Sequence, residues 1–169
     1  MAELNQVIDA VCETLKNEKI SAAVARYPLE KRKRYTVPIV TVGLKSGEGV
    51  TPGFAEYLGE KFDEQREKYI ELYGKRLELS LALHIYAPGT TEYGPGHCLK
   101  VFGEVTKALA ALPEGVRVRK LTCEETVFDH SAELFCCACT LETTAFLYAE
   151  KTEENMEFLD FILRGVLKN

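Results

Sequence analysis

Three groups of side chains in this sequence have types and spacings that could do chemistry. The first is His97-Cys98, placed just after Gly94-Pro95-Gly96 at the start of an expected helix. Backbone N–H groups and the positive end of the helix dipole would stabilise a thiolate there, the nucleophilic form of cysteine. Cys98, however, shares a helical face with Phe102 and Val105, which directs it toward a core, and a thiol nucleophile also needs a positioned base. The second group is Cys136-Cys137-Ala138-Cys139, with Cys123 and His130 upstream. Structural zinc sites usually carry Cys-x-x-Cys knuckles, which are missing here. On a strand, Cys137 and Cys139 fall on one face with Phe135 and Leu141, as core thiols do. The third group is Glu124-Glu125 and Asp129-His130. Strand neighbours face opposite sides, so neither dipeptide makes an acid–base pair by itself.

Two weaker signals add little. Gly43-Leu44-Lys45-Ser46 and Gly47-Glu48-Gly49 follow a strand, where phosphate loops occur, but they miss the Gly-x-x-x-x-Gly-Lys-Ser/Thr spacing and no helix opens after them. His84 faces away from an aliphatic stripe and needs no special role. The sequence therefore assigns no catalytic residue, no cofactor and no metal site.

The elements that must position these residues fit one α+β domain spanning 1–169. With 46% hydrophobic residues in a 169-residue chain, one core forms without staples. Four of the six cysteines lie between Cys123 and Cys139, a poor layout for loop-closing disulfides, and Met1 to Gln6 lacks the basic start of a secretory signal. Reduced thiols in a cytoplasmic protein are expected. No run approaches the roughly 18 apolar residues of a membrane span. A net charge of −5 argues against broad nucleic-acid binding, although a local contact stays open.

Leu4, Val7, Ile8, Val11 and Leu15 predict an N-terminal helix. Val37 to Leu44 reads as a strand closed by Lys45 to Gly49, and Thr51 to Lys75 as a long excursion with a helical portion around Phe54, Tyr57, Leu58 and Phe62. Leu77, Leu79, Leu81, Leu83 and Ile85 alternate with polar residues in the clearest strand, ended by Pro88-Gly89. A second helix carries Cys98, Phe102, Val105, Leu109 and Leu112. Strands follow over Val116 to Leu121, Glu124 to Phe128 and Glu133 to Ala149, the last bent or split near Glu142. A final helix from Thr152 carries Met156, Leu159, Ile162, Leu163 and Val166. This order fits a mainly antiparallel sheet packed by N-terminal, central and C-terminal helices.

Lys31-Arg32-Lys33-Arg34 is the one basic cluster, either a solvated connection or a contact for an acidic partner surface or nucleic acid. Phe54 to Glu60, Glu71 to Arg76 and Leu81 to Pro88 resemble segments of prophage tail-assembly proteins of Gram-positive bacteria, and the element order resembles that of the tail terminator proteins of long-tailed phages. That resemblance implies a homo-oligomeric ring, commonly a hexamer, made in the bacterial cytoplasm and docked on a tail-tube or head–tail connector protein. It makes the 45–76 segment a mobile arm that orders on assembly, with Phe54, Tyr57, Leu58 and Phe62 as anchors. Deleting residues 50–72 should then leave a folded domain that cannot assemble. Two other classes compete: a small intracellular enzyme using Cys98 or the Cys136–Cys139 region, and a ligand-binding adaptor domain.

Overall fold

The computed structural model describes residues 2–24, 35–50, 57–65, 67–113, 115–150 and 162–163. The first helix, α1, runs Ala2–Asn17 and buries Val7, Val11 and Leu15 completely, with Ile8 and Cys12 beside them. Its end follows from chain geometry. Lys19 takes a left-handed φ of 63°, Ile20 N–H donates to Leu15 C=O at 2.9 Å, and Lys19 N–H donates to Lys16 C=O at 2.9 Å. This is a Schellman closure, and the buried Ile20 supplies its apolar contact.

The chain continues as β1 (Ala22–Val24), β2 (Ile39–Val50), β3 (Tyr57–Asp63) and β4 (Lys68–Pro88), then α2 (Pro95–Ala108) and a 3₁₀ turn at Leu109–Ala111. It ends in β5 (Val116–Cys123), β6 (Val127–Asp129), β7 (Leu134–Glu150) and β8 (Ile162–Leu163). The sheet order is β1-β2-β4-β7-β5, with β3 added to β4 and both β6 and β8 added to β7. Among the described residues only the β1–β2 pair is parallel. The fold is α+β: a mixed, mostly antiparallel sheet with two helices among the described residues.

Four expectations change. Most of the expected C-terminal helix lies outside the described residues, but Ile162 and Leu163, drawn on its apolar side, form β8 opposite Tyr148 and Leu147. β2 does not close at Leu44. A bulge at Lys45 inserts one residue, and Gly47 and Gly49 then face Leu79 and Leu77. A Cβ on Gly47 would lie 2.8 Å from Leu79 Cδ2, so glycines that read as a turn act as space for core leucines. β7 is unbroken through Glu142. The helical portion expected in 51–75 is also not formed where the chain is described. Tyr57–Asp63 and the start of β4 make a hairpin, closed by Gln65 N–H donating to Asp63 Oδ1 at 2.9 Å and by Glu67 at a φ of 51°.

The core lies between α1, α2 and one sheet face. In one cross-strand row, Leu44, Leu81, Leu141 and Leu121 stand side by side on β2, β4, β7 and β5. From α2, Cys98, Val101, Val105 and Ala108 cover this face, joined by Leu109 of the 3₁₀ turn. β4 ends at Pro88, and the residue after it has no room for a side chain. A Cβ on Gly89 would lie 2.9 Å from the Glu133 carbonyl oxygen, which already accepts the Gly89 N–H. No helix among the described residues is long and apolar enough to cross a membrane.

Candidate functional site

The thiols are placed by the core rather than by a reactive cleft. Cys98 on α2 is fully buried, and its Sγ lies 3.8 Å from the carbonyls of Ile85 and Phe135, reach for only a weak donor contact. Burial pushes its pKa up to about 11, opposite to what a nucleophile requires. Its neighbour His97 instead packs edge-on against Tyr93, with ring centroids 4.8 Å apart. Cys137 and Cys139 are buried on the core face with Sγ atoms 3.9 Å apart, and burial raises both thiols. Burial likewise lifts Cys12 to about 11. Cys123, opposite Cys139, is exposed.

The remaining chemical candidates are also separated. Asp129 accepts the Ser131 N–H and hydroxyl at 3.0 and 2.7 Å in a local turn, while His130 packs on Phe128. Glu124 and Glu125 are exposed between β5 and β6, and His84 stacks on Tyr86. The glycines of 43–49 lie within β2, and the next described element is the strand β3. Among the described residues, no three His, Cys, Asp or Glu side chains converge as a metal site would need. A shallow depression of about 360 Å³ on the open sheet face is lined by Glu48, Glu78, Arg119 and Glu142. Its arginine is already engaged: Arg119 and Arg76 meet Glu78 at 3.2 and 3.1 Å.

A reactivity pattern follows from this placement. At pH 8 in the native protein, iodoacetamide should label the exposed Cys123. Cys12, Cys98, Cys137 and Cys139 should be labelled only after denaturant is added, because they are buried and stay protonated. Mass mapping of the labelled peptides reads this directly. Native-state labelling of Cys98 as fast as Cys123 would restore it as a nucleophile.

The feature that stands out is the β3–β4 arm. Among the described residues β7 accompanies β4 as far as the Leu72–Glu150 pair, and residues 68–71 pair with β3. β4 keeps strict alternation along its length, which puts Tyr69, Glu71 and Tyr73 on the same side as Leu79 to Ile85, beyond the cover of the helices. Opposite them on β3 stand Phe62, Glu60 and Tyr57. Phe62 and Tyr69 meet edge-on at 5.2 Å, and Tyr57 and Tyr73 at 5.7 Å. A bulge at Leu58, eased by Gly59 at a φ of 125°, brings Tyr57 back to that face.

The result is a ladder of an aromatic pair, a carboxylate pair and a second aromatic pair. Tyr69 is 69% exposed, Phe62 48% and Tyr57 40%, whereas Ile70 and Leu72 on the reverse face are buried. The arm is thus anchored on one side and presents rings on the other. Tyr73 donates its hydroxyl to Glu71 at 2.6 Å, and that hydrogen bond raises the tyrosine pKa. Desolvation, then the Glu60 and Glu71 charges, raises Tyr57. Both phenols therefore stay neutral donors. Like charges directly opposite oppose strand pairing, and among the described residues no lysine or arginine is paired with Glu60 or Glu71.

Of the interface residues expected from sequence, Tyr57 and Phe62 are brought together on this arm. Leu58 lies at its bulge, while Phe54 and Lys31, Arg32, Lys33 and Arg34 lie outside the described residues. Sequence reasoning missed Tyr69, Tyr73 and the Glu60–Glu71 pair. The signal was present as alternation of Tyr69, Glu71 and Tyr73 opposite Phe62, Glu60 and Tyr57, hidden by the bulge. No protein-family model matches this chain, and no curated protein matches it either.

Proposed function

We propose that this chain is a non-enzymatic virion-assembly subunit of the tail-terminator kind, which forms a ring with copies of itself and docks on the end of a tail tube. The observation that carries the reading is the arm: exposed rings on a ribbon whose other face is buried. Aromatic side chains held rigidly at a surface are the usual anchors of protein interfaces. Burial of Cys12, Cys98, Cys137 and Cys139 supports surface shape, rather than thiol chemistry, as the working tool. A heterologous contact that closes by rotation yields a ring, leaving one ring face for another protein.

The test is a tube-capping assay with a purified, self-polymerising tail-tube protein from the same genome. Tubes polymerised with the purified chain should stop growing and carry a ring at one end by negative-stain microscopy. Tubes that grow unchecked, with the chain left in the supernatant, would overturn the reading. So would a gene neighbourhood made only of metabolic enzymes.

A further inference from the structure

We infer that the aromatic–carboxylate face of the β3–β4 arm is a cation-binding surface, and that its occupant is the Lys31-Arg32-Lys33-Arg34 run of a second copy of this chain. The inference deepens the ring reading above and rests on it. Glu60 and Glu71 stand directly opposite each other, with rings of Tyr57 and Tyr73 on one side and of Phe62 and Tyr69 on the other. Two adjacent carboxylates between aromatic faces match a guanidinium or ammonium group, which binds carboxylate oxygens and rests on ring faces. The two tyrosine hydroxyls donate hydrogen bonds but cancel no charge. A second cation-bearing chain would remove the like-charge opposition that the isolated arm tolerates.

The chain itself contains a ligand of this chemistry. In a protein of net charge −5, Lys31 to Arg34 are four consecutive cations. An extended tetrapeptide spans about 10 Å from first to last Cα, which fits within the about 13 Å covered by the four steps from Tyr69 to Tyr73. Joining the arm of one copy to the basic run of the next uses two different surfaces. Such a contact is heterologous and repeats around a ring.

Charge reversal on the full-length chain tests the contact. One variant carries Glu60→Lys and Glu71→Lys; the other carries Lys31→Glu, Arg32→Glu, Lys33→Glu and Arg34→Glu. Two lysines at 60 and 71 repeat the like-charge pair they replace, so arm stability is not the variable, and circular-dichroism melts confirm folding of both. In sedimentation velocity the wild type should self-associate, each variant should lose at least tenfold in association, and an equimolar mixture of the two should recover it. Raising salt should weaken wild-type association. A monomeric wild type, unchanged association in the variants, or folded variants whose mixture stays dissociated would each overturn the contact. The tube-capping assay separates the two ideas. Capping that survives both reversals removes the arm–run contact and leaves the subunit reading intact. Reversal-sensitive association without capping does the opposite.

Discussion

Replacing Leu81 with alanine should lower the unfolding free energy by about 3–5 kcal/mol and the melting temperature by roughly 10 °C in a chain of this size. Leu81 is fully buried and stands between Leu44 and Leu141 in the row that crosses four strands, under the cover of the helices. Truncation removes its transfer free energy and leaves a cavity that strands paired on both sides cannot collapse around. Leu44, in the same row but 44% exposed on β2, is the internal control, and Leu44→Ala should cost under about 1 kcal/mol. Urea denaturation of the two variants measures the contrast. Equal, small losses would mean that this row is not the centre of the core.

The second large effect concerns the arm. Phe62→Ser combined with Tyr69→Ser should leave overall stability within about 1 kcal/mol, because both rings face solvent in the isolated chain. Subunit-to-subunit association should nevertheless fall by about a hundredfold or more, the usual cost of removing two aromatic anchors from an interface. Ile70→Ser, one position away but on the buried reverse face, should behave oppositely and destabilise the fold. Thermal melts and light scattering on the three proteins separate these outcomes. If the double serine variant assembled like wild type, the exposed rings would be surface decoration.

Where period and burial agreed, the fold was legible in the residues. The α1 stripe, the Leu77–Ile85 alternation, the start of α2 near Pro95 and the strand at Val116 all appear as expected, while the strand expected over Glu124 to Phe128 is confined to Val127–Asp129. Within α2 the stripe was only partly right: Val101 and Ala108 are buried, while Phe102 packs at the margin. Two of the failures, at β2 and β3, share a physical cause. Bulges at Lys45 and Leu58 each insert a residue, so alternation read from the chain loses phase where the ladder does not. In β4 itself the buried apolar face changes side, from Leu79 to Ile85 on one face to Ile70 and Leu72 on the other. No single stripe runs the length of the strand. Tyr57 and Phe62 were expected as exposed aromatics of one segment, but the residues opposite them, Tyr73 and Tyr69, become visible only through the cross-strand register. The assumption that 50–72 can be removed as an excursion also changes meaning, since that deletion would take β3 and the buried Ile70 and Leu72 with it.

The long ladder between β4 and β7 has a consequence for how the chain comes into being. It joins Pro88 to Leu134 at one end and Leu72 to Glu150 at the other, with α2, β5 and β6 threaded between. Pairings so distant along the chain are slow to close, whereas the β3–β4 hairpin spans a short loop and closes on the timescale of microseconds. During synthesis the sticky tip can therefore be complete while the body still waits for its last central strand to leave the ribosome. Crowded nascent chains would meet through their tips before they own a core, and yield at high expression should depend on keeping them apart until residue 150 has emerged.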